Sequence, residues 1–130
     1  MSENTVQTFD QVYYGALSAL TYSSAAVPVY QNTAPDQADD GTALDTYVIF
    51  NEAEADYILD RSNVSGRTRH LVQVHVVSIH PEAVRPIMQA ARTALKAVGV
   101  KPRYCAAMMY EEDTGYWHLP MYTWYVDKET

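Results

Sequence analysis

Apolar residues recur at helical spacing in TFDQVYYGALSAL, residues 8–20, where Phe9, Val12, Tyr13, Ala16, Leu17 and Leu20 share one face. Thr8 followed by Gln11 has the form of a capping box at the start of that helix. AVPVY, residues 26–30, has strand composition, and Pro28 assigns it to a sheet edge. LDTYVIFNE, residues 44–52, predicts a strand apolar on both sides, with Tyr47 and Ile49 on one and Val48 and Phe50 on the other. Between these two, the 31–43 stretch has no periodicity and carries Asp36, Asp39 and Asp40, as a solvated loop would. HLVQVHVVSI, residues 70–79, is the clearest strand, with valine at 72, 74, 76 and 77.

The segment 55–69 is ambiguous: its ends have strand character, SNVSG is a turn or loop, and an extended hairpin arm accommodates both. Further on, Val84, Ile87, Met88, Ala91, Leu95 and Val98 form an amphipathic helical stripe, with Gly99 where a C-terminal cap belongs. Pro81 suits a first helical position, whereas Pro86 means either that the helix starts there or that its first turn is kinked. The chain closes with a hairpin around EDTG, which pairs Tyr110 with Trp117, Met108 with Leu119 and Ala106 with Met121 on a core face. The other face sets Met109, Ala107 and Cys105 against His118, Pro120 and Tyr122, with Tyr116 and Trp124 nearby, and is too apolar for a monomer's solvent side. The predicted architecture is a single α+β domain: a mainly antiparallel sheet of four to five strands with two helices packed on it.

Composition narrows the function classes. The 130 residues are 48% hydrophobic and 19% charged, which excludes global disorder and suits one domain. Cys105 is the only cysteine, so no internal disulfide forms. The opening MSENTVQTFDQ lacks the layout of a signal peptide, and no apolar run approaches the ~20 residues of a membrane helix, so no membrane partner is expected. Nine basic residues against sixteen acidic ones, a net charge of −7, argue against a dedicated nucleic-acid binder. The densest basic group is Arg61, Arg67 and Arg69. Eleven tyrosines and two tryptophans exceed what a small core needs and favour an interface.

Candidate chemistry is thin. His70, His75 and His80 lie five residues apart, so His75 points away from the other two on a strand. His70 and His80 would be roughly 33 Å apart on a straight strand, too far to share a metal. Cys105 and His118 share a predicted face, but a cysteine flanked by Ala106 and Ala107 lacks the electropositive setting of a nucleophile. Acid pairs occur only in a turn and a loop, and GRTR at 66–69 is no phosphate loop. No catalytic, metal or cofactor residue is assigned, and an enzyme is not expected.

The layout resembles the tail-terminator, or tail-completion, proteins of long-tailed, siphovirus-type bacteriophages. The resemblance rests on an N-terminal helix leading into VPVY and an acidic loop, on YVIF and LVQVHVVS before an amphipathic helix, and on the closing YEEDTGYWHLPMYTWYV hairpin, and it covers residues 8 to 127. It implies a homohexameric ring in the virion, at the head–tail junction, assembled in the host cytoplasm. Such a ring stops tail-tube polymerisation, and its partners are copies of itself, the tail tube protein and the head connector or stopper protein. DNA would pass through the lumen without specific binding, and Asp36, Asp39 and Asp40 are the candidate lumen acids, with an outer-surface placement left open. Tyr116, His118, Tyr122, Trp124, Arg61, Arg67 and Arg69 are the candidate subunit or tube contacts. Two alternatives stand beside this reading: a head-completion, stopper or other connector ring protein, and a small dimeric ligand-binding α+β domain.

Overall fold

The computed structural model describes residues 8–35, 44–58 and 67–126, with backbone alone at 56–58 and 67. The first helix, α1, spans Phe9–Leu17. Its start follows the capping pattern, with the Thr8 backbone N–H donating to Gln11 Oε1 at 3.1 Å. It ends before the apolar spacing does: Ser18 bonds back to the Gly15 carbonyl at 3.2 Å, and the chain turns. Leu20 is nonetheless buried, so its place in the pattern reports the core rather than the helix. Next come two short strands, β1 (Thr21–Tyr22) and β2 (Ala25–Ala26), paired across Ser23 and Ser24. Both serines hold positive φ, 51° and 66°, and nothing in their residue type signals that small hairpin.

The main sheet contains β3 (Val29–Gln31), β4 (Thr46–Ile58), β5 (Arg67–Ser78), β6 (Lys101–Cys105), β7 (Met109–Glu111) and β8 (Tyr116–Val126). Its order is β3-β4-β5-β8-β6, with β7 also paired to β8. Only β3 on β4 is parallel, and β3 lies at the edge where Pro28 placed it. Six strands exceed the four or five expected, because the closing hairpin's first arm is split into β6 and β7. The ends of the 55–69 segment belong to β4 and β5, which pair out to Ile58 and Arg67; the residues between fall outside the described set. So do Asp36, Asp39, Asp40 and Arg61.

The second helix, α2, runs unbroken over Pro81–Ala97. Pro81 occupies the start, where its missing N–H costs nothing. Pro86 removes one backbone bond, to the Glu82 carbonyl, but both residues are exposed, so water can take that carbonyl. The helix therefore starts before Pro86. Gly99, at φ 92°, closes it: Gly99 N–H reaches the Lys96 carbonyl at 3.2 Å and Val100 N–H the Leu95 carbonyl at 3.0 Å. That turn buries Val100 and leaves Val98 exposed, which corrects the predicted stripe at its last position.

Both helices cover one face of the sheet. Phe50, Val74 and Met121 from the strands meet Tyr13, Ile87 and Leu95 from the helices, all essentially inaccessible. Each such side chain contributes about 1.5–3 kcal/mol by burial. The one polar thread through this core is satisfied. The Tyr13 hydroxyl meets Thr123 Oγ1 at 2.5 Å, and Thr123 donates to the Val72 carbonyl at 2.9 Å, so Tyr13 is the donor to Thr123. Desolvation holds the Tyr13 phenol well above its ordinary range, consistent with a neutral donor.

The closing hairpin departs from the predicted register. Tyr110 does pair with Trp117, and Gly115 makes the turn at φ 79°. Beyond β7 the alignment slips by one residue, so Cys105, not Ala106, lies opposite Met121. A second irregularity follows between Pro102 and Tyr104. Because strand side chains alternate, each slip turns a residue to the other face. Cys105 is therefore on the helix side, away from His118, and the two do not meet. Tyr110 is 51% exposed at the sheet end rather than in the core.

Candidate functional site: the helix-free face of the sheet

No described helix covers the second face of the sheet, and that face is aromatic. Tyr30, Tyr47 and Tyr116 form an edge-to-face run, with ring centroids 6.2 and 6.1 Å apart. The Tyr116 hydroxyl donates to the Leu44 carbonyl, which pins the ring. Burial, then the neighbouring Tyr116 and Glu111, raises the Tyr47 pKa. Across β8 and β6, Tyr122 and Tyr104 lie 4.8 Å apart, and Tyr104 is 59% exposed. Two cations approach the Trp124 ring, the Arg69 guanidinium at 4.5 Å and that of Arg103 at 5.4 Å from its centroid. Its indole N–H is buried without a hydrogen-bond partner among the described residues.

Two histidines meet at the centre of this face. His75 on β5 pairs in register with Pro120, and His118 on β8 pairs with Val77, so the two rings are diagonal neighbours. His75 Nδ1 and His118 Nε2 are 2.7 Å apart. His118 Nδ1 lies 3.6 Å from Glu111 Oε2 on β7. A proton on His118 Nδ1 facing that carboxylate leaves Nε2 as acceptor, and His75 Nδ1–H is then the donor. Burial, with His118 as a second cause, lowers the His75 pKa to about 4, so at neutral pH its ring is uncharged. Asn32, Tyr47, Asn51 and Glu111 join the two imidazoles around a shallow depression of ≈ 210 Å³.

The remaining histidines have separate places. His70 is on the helix face, stacked on Phe9 at 4.6 Å and paired with Glu52. His80 sits at the exposed N-cap of α2, where its backbone N–H bonds to Ser78 Oγ at 2.9 Å. His75 thus points away from His70, as strand alternation required, and among the described residues no three potential ligands form a metal-sized cluster. The contact missed in the sequence was His75 with His118. They are 43 positions apart, and only the β5–β8 register brings them together.

Of the predicted contact residues, Tyr116, His118, Tyr122 and Trp124 all lie on this face and are half-buried, and Arg69 joins them over Trp124. Arg67 belongs to β5, with its side chain outside the described set, as is the whole of Arg61. Tyr47, His75, Arg103 and Tyr104 also belong to the face and were not singled out. Tyr47 was the most readable of these, since its strand parity was already assigned.

No protein-family model matches the chain, and no curated protein matches it. Among solved structures it is similar to a chain from the virion of a native gene transfer agent particle, at 14% identity and a TM-score of 0.47, over 92% of this chain and 87% of that one. No described helix is long and apolar enough to cross a membrane.

Proposed function

We propose that this chain is a structural protein of a phage-like virion, a subunit of a homohexameric ring that ends tail-tube polymerisation and joins the tail to the head connector. The single observation that carries the reading is the helix-free sheet face paved with Tyr47, Tyr116, Tyr122 and Trp124. Large amphipathic aromatic rings that remain partly exposed are the composition of a protein–protein contact. The reading includes no bond-making step, since the His75–His118 pair has Cys105 on the opposite side of the sheet. The depression beside the pair is also smaller than the roughly 300–1,000 Å³ that encloses a small ligand. That weighs against a small ligand enclosed at the histidine pair. A head-completion or stopper ring would use the same face and differ in its neighbours.

The test uses Tyr122→Asp and Trp124→Asp in an infection or reconstitution that assembles tails. Both variants should keep the wild-type circular dichroism spectrum yet leave tails uncapped and over-long in electron micrographs. Tails of normal length with either variant would remove the face from the contact and the reading with it.

A further inference from the structure

The two open edges of the main sheet differ in charge. On one side, β3 pairs with β4 only through Val48, Ile49 and Phe50, and no described strand pairs with that side of β4 beyond them. Glu52 and Glu54, both exposed, fall on this open stretch. At the other side, β6 is the last strand and carries Lys101 and Arg103, with Arg92 and Lys96 of α2 next to it around two shallow hollows. None of these four cations has an ion-pair partner among the described residues. In a chain of net charge −7, that concentration of base is a local feature.

The edges are also level. Following the ladder from Lys101 through Trp124 and Leu71 leads to Glu54, and from Pro102 through Thr123 and Val72 to Glu52. The Lys101–Pro102 end of β6 therefore lies at the height of the open acidic stretch, while Cys105 is level with Phe50, which β3 covers. Successive antiparallel pairings of β4 with β5, β5 with β8 and β8 with β6 make β6 run opposite to β4. A neighbouring copy that presents β6 to β4 would pair in antiparallel sense with its acids facing bases. Two β4 edges, or two β6 edges, would bring like charges together.

We infer that copies of this chain associate head-to-tail by sheet extension, the Lys101–Arg103 end of the β6 edge of one against the open β4 edge of the next. This deepens the ring reading and rests on it, because unlike edges are the two patches that a closed heterologous ring requires. Charge on an edge strand can also serve only to keep other chains away. Opposite signs on the two edges discriminate against like pairing and leave unlike pairing favoured.

Paired thiols at the same height supply the test. Ala53→Cys on the open β4 edge and Pro102→Cys on β6, introduced together in a Cys105→Ser protein, place one thiol on each edge, because Pro102 is level with Glu52 on the ladder. Under mild oxidation this full-length protein should form a covalent ladder on a non-reducing gel that extends past the dimer. Glu54→Lys or Lys101→Glu should each weaken association at low salt by about tenfold or more, and the two together should restore it. Wild-type protein that oxidises to a Cys105–Cys105 dimer would show that like edges meet and would overturn the inference. Rings seen by native mass spectrometry or on tail tubes, with no ladder and no effect of either reversal, would overturn the edge pairing and leave the ring reading intact. Wild-type protein that forms no ring, alone or with tubes, would overturn both.

Discussion

Acidification should destabilise this fold through His75. The imidazole titrates near pH 6.5 in an unfolded chain and at about 4 when folded, because burial and then His118 disfavour its charged form. The folded state therefore binds fewer protons than the unfolded state between those values. The contribution is complete above about pH 6.5 and is lost as pH falls through that window toward 4. Linkage over such a shift amounts to roughly 2 kcal/mol by about pH 5, and residual solvent around a ring that is only half-buried reduces it toward 1 kcal/mol. The assay is urea unfolding of wild type and of His75→Gln, at about pH 7.5 and pH 5, followed by circular dichroism. Gln keeps an amide donor for His118 and does not titrate, so the variant should lose about 1–2 kcal/mol less than wild type over the same interval. Titrating groups that do not touch position 75 act equally in both proteins and cancel. Parallel losses would refute the reasoning, and so would an imidazole proton resonance for His75 that titrates near its ordinary value.

Two further predictions concern the core and a helix end. Thr123→Val should cost about 1–3 kcal/mol, since it leaves the Tyr13 hydroxyl buried without its acceptor, whereas Tyr13→Phe in the same protein should be milder; denaturant midpoints compare them. Gly99→Ala should cost about 1–2 kcal/mol from backbone strain alone, because φ is 92° and no atom lies within 4 Å of the added methyl group; equal melting temperatures would contradict it.

Much of the fold was legible because its cues are local. Apolar content in YVIF and LVQVHVVS marked β4 and β5 as strands, although the choice of Val48 and Phe50 as the core side of β4 waited on the structure, and the Gly99 stop ended α2 where its closing hydrogen bonds form. The closing hairpin was legible only near its turn, where Gly115 sets the pairing of Tyr110 with Trp117. Farther out, register depends on irregularities that carry no residue signature. The slip before β7 moved Cys105 to the helix side and dissolved the supposed neighbourhood with His118. The same long-range pairing created the His75–His118 contact, which no spacing along the chain encodes.

That contrast explains why the candidate face was half legible. Parity along β8 put Tyr116, His118, Tyr122 and Trp124 on one side without reference to any partner strand, because alternation is a property of the strand itself. Neighbour identity across strands is a property of the sheet. Arg69 and Arg103 therefore reach Trp124 from two different strands, β5 and β6, that are separated by the whole of α2 in sequence. A face whose members come from β4, β5, β6, β7 and β8 exists only when the sheet is fully assembled, so an unfolded or partly folded subunit lacks the surface that would join it to its neighbours. In the proposed ring, association would follow folding, and a destabilising change such as Thr123→Val should reduce ring formation only as far as it lowers the folded fraction, without altering the affinity of subunits that do fold.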